Sequence, residues 1–94
     1  MKEFTLTTST PTTNWIENKG QIRTVLIDTT NTVWSGGLVQ IEVSSNKTDV
    51  FGQEPELQFS SSQDAPRNFV YGAGFFRAKL TGGDGTTSVK LTVL

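Results

Sequence analysis

The sequence predicts an all-β domain: an antiparallel β-sandwich of about seven to nine short strands, jelly-roll or immunoglobulin-like in topology. Three observations carry this. Apolar and polar residues alternate with period two along 38–45, 74–81 and 87–94. Turn-forming residues recur at roughly eight to twelve positions, the spacing of a small sandwich. No window holds apolar residues at helical spacing over three turns, so no helix longer than a turn is expected. One sheet of that many strands would leave a face bare. Two sheets packed face to face bury both inner faces, and a small closed barrel is the alternative.

Taken in order, residues 2–8 read as a first strand with Phe4 and Leu6 on its buried face. A loop centred on Pro11 follows, after which Trp15 and Ile16 pack back onto the core, and 18–20 turn. The strand 21–28 is apolar on both faces at Val25, Leu26 and Ile27, which suits a central strand or one covered by a partner. A turn at 29–32 leads to a short strand at Val33 and Trp34, ended by Ser35-Gly36-Gly37. In 38–45, Val39, Ile41 and Val43 face in, while Gln40, Glu42 and Ser44 face out. Residues 46–49 turn, Val50 and Phe51 form a short strand, 52–55 make an acidic turn, and 56–60 form a strand with Leu57 and Phe59 inward. The polar stretch 61–67 reads as a surface loop, followed by strands at 68–71 and 74–81. Phe76, Ala78 and Leu80 alternate with Phe75, Arg77 and Lys79; beyond Gly82-Gly83-Asp84-Gly85, Val89, Leu91 and Val93 alternate with Ser88, Lys90 and Thr92. Alternation on both sides of a turn that accepts positive φ is a hairpin signal.

The 94 residues make one domain, 1–94. A chain of this size buries only about 60–65% of its unfolded surface, so its core is thin. It has no Cys and no His. Disulfides, thiol chemistry, Ser-His and Cys-His nucleophile pairs and ordinary zinc sites are therefore excluded. The net charge is -1 and the cations are scattered singly, which argues against nucleic acid as a partner. The opening Met1-Lys2-Glu3-Phe4 has no apolar h-region, and no apolar run approaches the ~18 residues of a membrane span, so no signal peptide and no membrane partner are expected. Asn46-Lys47-Thr48 matches a glycosylation triplet, which has no meaning without secretion.

A Thr-rich opening strand leads to a lone Trp15, then Val25-Leu26-Ile27-Asp28, then Trp34-Ser-Gly-Gly-Leu-Val-Gln-Ile-Glu-Val-Ser44, and the chain closes on the patterned 74–94. This layout resembles the small β-sandwich virion proteins of tailed bacteriophages, the capsid decoration and accessory structural proteins. The resemblance implies a non-catalytic protein of the virion, made in the host cytoplasm. Such a protein works by assembly, as a homo-oligomer or by docking on a capsid or tail protein, and needs no cofactor. A carbohydrate- or cell-surface-binding module of a phage adhesin is the alternative.

Candidate sites are few. Asp49, Glu54, Glu56 and Asp64 could supply oxygen ligands to Ca²⁺, but their spacing matches no calcium loop and they read as solvated turn carboxylates. Glu54 and Glu56 do not make a glycosidase pair, because Pro55 between them disturbs the strand. Trp15, Trp34, Phe51 and Tyr71 could form a platform for sugar rings, though large aromatics in a small sandwich belong mostly to the core or an interface. The Gly82–Gly85 run joins strands and opens no helix, so it cradles no phosphate. No catalytic, cofactor or metal residues are assigned and no enzyme activity is expected. The interface residues are Trp34, as an exposed anchor beside small residues, Phe75 and Arg77 on a mixed strand face, and Val93 and Leu94 on a bare edge strand.

Overall fold

The structure, a computed structural model, describes residues 2–50, 52–70 and 74–94, with backbone alone at 52–56 and 69–70. Among the described residues eight strands follow one another: β1 (Lys2–Thr7), β2 (Ile16–Asn18), β3 (Ile22–Ile27), β4 (Gly37–Ser44), β5 (Gly52–Phe59), β6 (Arg67–Val70), β7 (Gly74–Gly82) and β8 (Ser88–Val93). None of the described residues is helical. Two four-stranded sheets result, in the orders β1-β8-β3-β6 and β2-β7-β4-β5.

The pairing is nested. β4 pairs with β5, β3 with β6, β2 with β7 and β1 with β8, every pair antiparallel. The chain is thus one long two-stranded ribbon folded over itself, and the β3–β8 and β4–β7 ladders stitch the ribbon into sheets. That is the jelly roll, and it decides between the topologies left open by the alternation. β1 and β2 form the edges on one flank of the sandwich, and β6 and β5 the edges on the other.

The inward residues of both sheets meet in one core. Leu6, Val25, Ile27, Val89, Leu91 and Val93 come from the first sheet. Ile16, Val39, Ile41, Leu57, Phe59, Phe76, Ala78 and Leu80 come from the second. Phe59 and Phe76 supply the largest buried surfaces, and Phe4, Trp34 and Val43 pack against the rim. Arg23 takes the core-facing position at the start of β3 and bridges the sheets. It donates from Nε to Asn18 Oδ1 at 3.1 Å and from Nη2 to the Glu17 carbonyl at 3.0 Å, with its guanidinium over the Phe76 ring. The buried Asn18 is thereby satisfied, and also donates to the Gln21 carbonyl.

The hairpin expected at 82–85 does not form. β7 has both edges filled by β2 and β4, and β8 lies between β1 and β3, so 83–87 carries the chain from one sheet to the other. Positive φ at Gly82 (73°) and Gly83 (83°) makes the corner. Alternation fits either outcome, but crossing sets the Phe76 face opposite the Val89 face, where each buries the other. For the same reason β8 is not an edge: Val93 is 4% exposed.

Two further expectations change. The acidic turn at 52–55 is part of β5, whose register breaks so that Gln40 faces Gln58 while Ile41 faces Glu54. The intervening residues bulge, which accommodates Pro55, a residue with no N–H for the ladder. The expected short strand at Val50 and Phe51 is not present at Val50, and Phe51 lies outside the described residues. Val33 and Trp34 form no strand; Val33 alone makes a two-hydrogen-bond bridge to Ser88.

Candidate functional site

The outward face of the β2-β7-β4-β5 sheet gathers the mixed residues that the sequence singled out. Register sets Arg77 opposite Glu42, Lys79 opposite Gln40 and Phe75 opposite Ser44. Arg77 donates from Nε to Glu42 Oε1 at 2.9 Å, and Lys79 Nζ stands 3.9 Å from Oε2. Glu42 points outward as expected, but it is not solvated: it is 3% exposed. A carboxylate this buried is stable only with charged partners, and the neighbouring strand supplies two.

Trp15 reaches this face because of a one-residue bulge. Thr12 bridges Lys79, whereas Ile16 pairs with Phe76. Four steps along the 12–16 segment therefore match three along β7, and the extra residue sends Trp15 outward. Its ring stacks on the Arg77 guanidinium at 4.4 Å. The expectation that Trp15 packs onto the core is thus corrected, while Ile16 does enter it. The bulge is held by Thr13, whose amide donates to the Ala78 carbonyl and whose hydroxyl accepts from the Ala78 amide.

At the end of the same face, Lys47 sits 4.8 Å over the half-buried Phe75 ring. The connection 45–50 that carries Lys47 is braced from below. Ser44 Oγ accepts from the amides of Asn46 and Lys47, and Asn46 Oδ1 accepts from those of Thr48 and Asp49. Ser44, assigned outward, is consequently buried as the floor of the turn.

Comparison with known protein families, with curated proteins and with solved structures gives no match. The reading of this chain therefore rests on its own residues.

The other sequence-selected positions fall apart in space. Trp34 is no exposed anchor: it is half-buried against the core, and its carbonyl accepts from the Gly37 amide and the Thr87 hydroxyl. Leu94 is 47% exposed beside β3, its amide donating to the Thr24 carbonyl. Asp49 and Asp64 lie at opposite ends of β5, an eight-residue strand, and are not brought together. Among the described residues no group of three or more metal-ligating side chains is assembled. Phe51 and Tyr71 lie outside the described residues, as do the side chains of Glu54 and Glu56.

Sequence reasoning missed two features. Ile22 is 70% exposed, because β3 begins with its even positions on the outer face, away from Val25 and Ile27. A cleft of about 290 Å³ opens on the β1/β2 flank, lined by Lys2, Trp15, Ile16, Glu17, Arg23 and Val93. The register of β3 could have been counted back from Val25 to find the first; the second depends on pairings between remote segments.

Proposed function

We propose that this chain is a non-catalytic structural or accessory virion protein of a tailed bacteriophage, acting by assembly as a capsid decoration or cement protein or as a tail or neck component. One observation carries the reading. Of the four large apolar side chains exposed among the described residues, Ile22, Val50 and Leu94 lie at the same end of the sandwich, where β3 begins, β4 gives way to β5 and β8 finishes. Apolar side chains gathered at one end of a small domain favour a docking surface, since scattered single exposures are the norm. The jelly roll, a fold used by viral capsid domains and by lectins alike, supports the reading by analogy only.

Mass spectrometry of purified particles, with co-sedimentation on shells prepared without the protein, tests this. The protein should be present at a fixed copy number and pellet with the shells. Its absence from particles would overturn the proposal.

A second reading, a carbohydrate- or cell-surface-binding module, draws on Trp15, an aromatic ring next to charged hydrogen-bonding groups on an outward sheet face. One face of that ring is already taken by Arg77, which is why it ranks second. Signal on a glycan array, lost in Trp15→Ala, would favour it.

A further inference from the structure

We propose that copies of this chain join flank to flank, with Val50 of one copy seated in the β1/β2 cleft of the next. The inference rests on the reading that the chain works by assembly, and names the contact. At about 290 Å³ the cleft falls at the bottom of the range for small-molecule pockets and suits one or two side chains. Its lining reaches two core residues, Ile16 and Val93, and carries the exposed Lys2 and the Arg23 guanidinium, the latter already held by Asn18 and the Glu17 carbonyl, against one carboxylate. That carboxylate, Glu17, already faces Lys19 at 3.7 Å. The cleft therefore favours an apolar side chain with an acidic neighbour.

Among the described residues one such pair is presented. Val50 is 43% exposed and follows the exposed Asp49, whereas Ile22, Val33 and Leu94 have no acidic neighbour in sequence. The turn that presents Val50 is braced by Ser44 and Asn46, so little ordering is needed on docking. Placement agrees. Val50 lies beside β5 on one flank and the cleft beside β1 and β2 on the opposite flank, both at the end where β1 and β3 begin. Rotation about an axis along the strands brings them level. The contact joins two different surfaces, so it is heterologous and repeats into a ring or an array.

Because the chain has no Cys, introduced thiols report this contact without background. The double variant Val50→Cys/Glu17→Cys, oxidised mildly both free at high concentration and bound to shells, should give a ladder or a closed ring of covalent multiples. Each single variant should give none. In sedimentation, Val50→Asp should weaken self-association at least about tenfold, as expected for losing a central apolar anchor, with its melting temperature unchanged. Failure of the double variant to crosslink in both settings, or efficient crosslinking of Val50→Cys alone, overturns the contact. If the wild-type chain still associates or pellets with shells in that case, the assembly reading stands without it. A chain that is monomeric throughout and missing from particles overturns both.

Discussion

Arg77 and Glu42 meet at 2.9 Å on the outward face of a sheet, yet Glu42 is almost fully buried while Arg77 keeps 23% of its side chain in solvent. The asymmetry predicts unequal costs. Arg77→Met takes the 2.9 Å partner from a buried carboxylate, leaves Lys79 at 3.9 Å, and should cost about 2–4 kcal/mol, slightly under the usual figure for breaking a fully buried pair. Glu42→Gln leaves an arginine that can rehydrate and should cost roughly 1 kcal/mol. Urea unfolding of both variants decides; equal or reversed costs would mean that Arg77 does not hold this carboxylate.

The core makes a simpler demand. Ile41→Ala should cost about 2–5 kcal/mol and Phe59→Ala about 3–5 kcal/mol, the ranges for truncating large buried side chains. Val43→Ala, at the half-buried rim of the same strand, should fall below both. A chemical-denaturation series that ranks Val43→Ala highest would misplace the core.

The corner between β7 and β8 gives a sharper contrast. Gly83 has a φ of +83°, and a Cβ there would run into Thr87 Oγ1. That hydroxyl accepts from the Asp84 amide and donates to the Trp34 carbonyl, so it cannot yield freely. Gly83→Ala should lower stability by more than the about 1–2 kcal/mol of left-handed strain alone. Gly85→Ala meets nothing within 4 Å and should lie within about 0.5 kcal/mol of wild type. Equal melting temperatures for the two variants would sink this account of the corner.

Acid should weaken the same corner. The Thr86 hydroxyl and amide donate to Asp84 and hold its carboxyl below the usual aspartate range. A depressed folded-state pKa contributes stability above the unfolded value, and that contribution is lost as pH falls through the folded one. Asp84→Asn should therefore be less stable than wild type near neutrality, and the gap should close below about pH 4. Asp28, lowered chiefly by the Asn31 side chain, should behave alike. A gap that persists unchanged to pH 2 would count against it.

Strand positions and faces were legible because period two is written locally. Val39, Ile41, Phe76, Leu80, Val89 and Leu91 are buried as their alternation requires. Partner choice was not. The alternation around Gly82–Gly85 satisfies a hairpin and a crossover equally, and only the occupancy of both edges of β7 decides. The burial of Glu42 was equally hidden, since alternation gives the face but not what covers it. A single inserted residue before Ile16 turns the half-buried Trp15 to the outward face against Arg77, a change that no periodicity within 12–16 announces.

The nested ribbon also dictates a route. β4 and β5 adjoin in sequence, while Lys2 finds Val93 across nearly the whole chain. Closing the outermost pair first would cost most loop entropy; once the innermost pair has formed, each further pair closes only a short additional loop. Folding should therefore zip outward from β4–β5, at the millisecond-to-second pace of non-local β topologies. β1, the last strand to dock and held by one neighbour only, should be the first to open. Its amides should exchange with solvent fastest among the strands, and substitutions such as Leu6→Ala should hasten unfolding while leaving the folding rate nearly untouched.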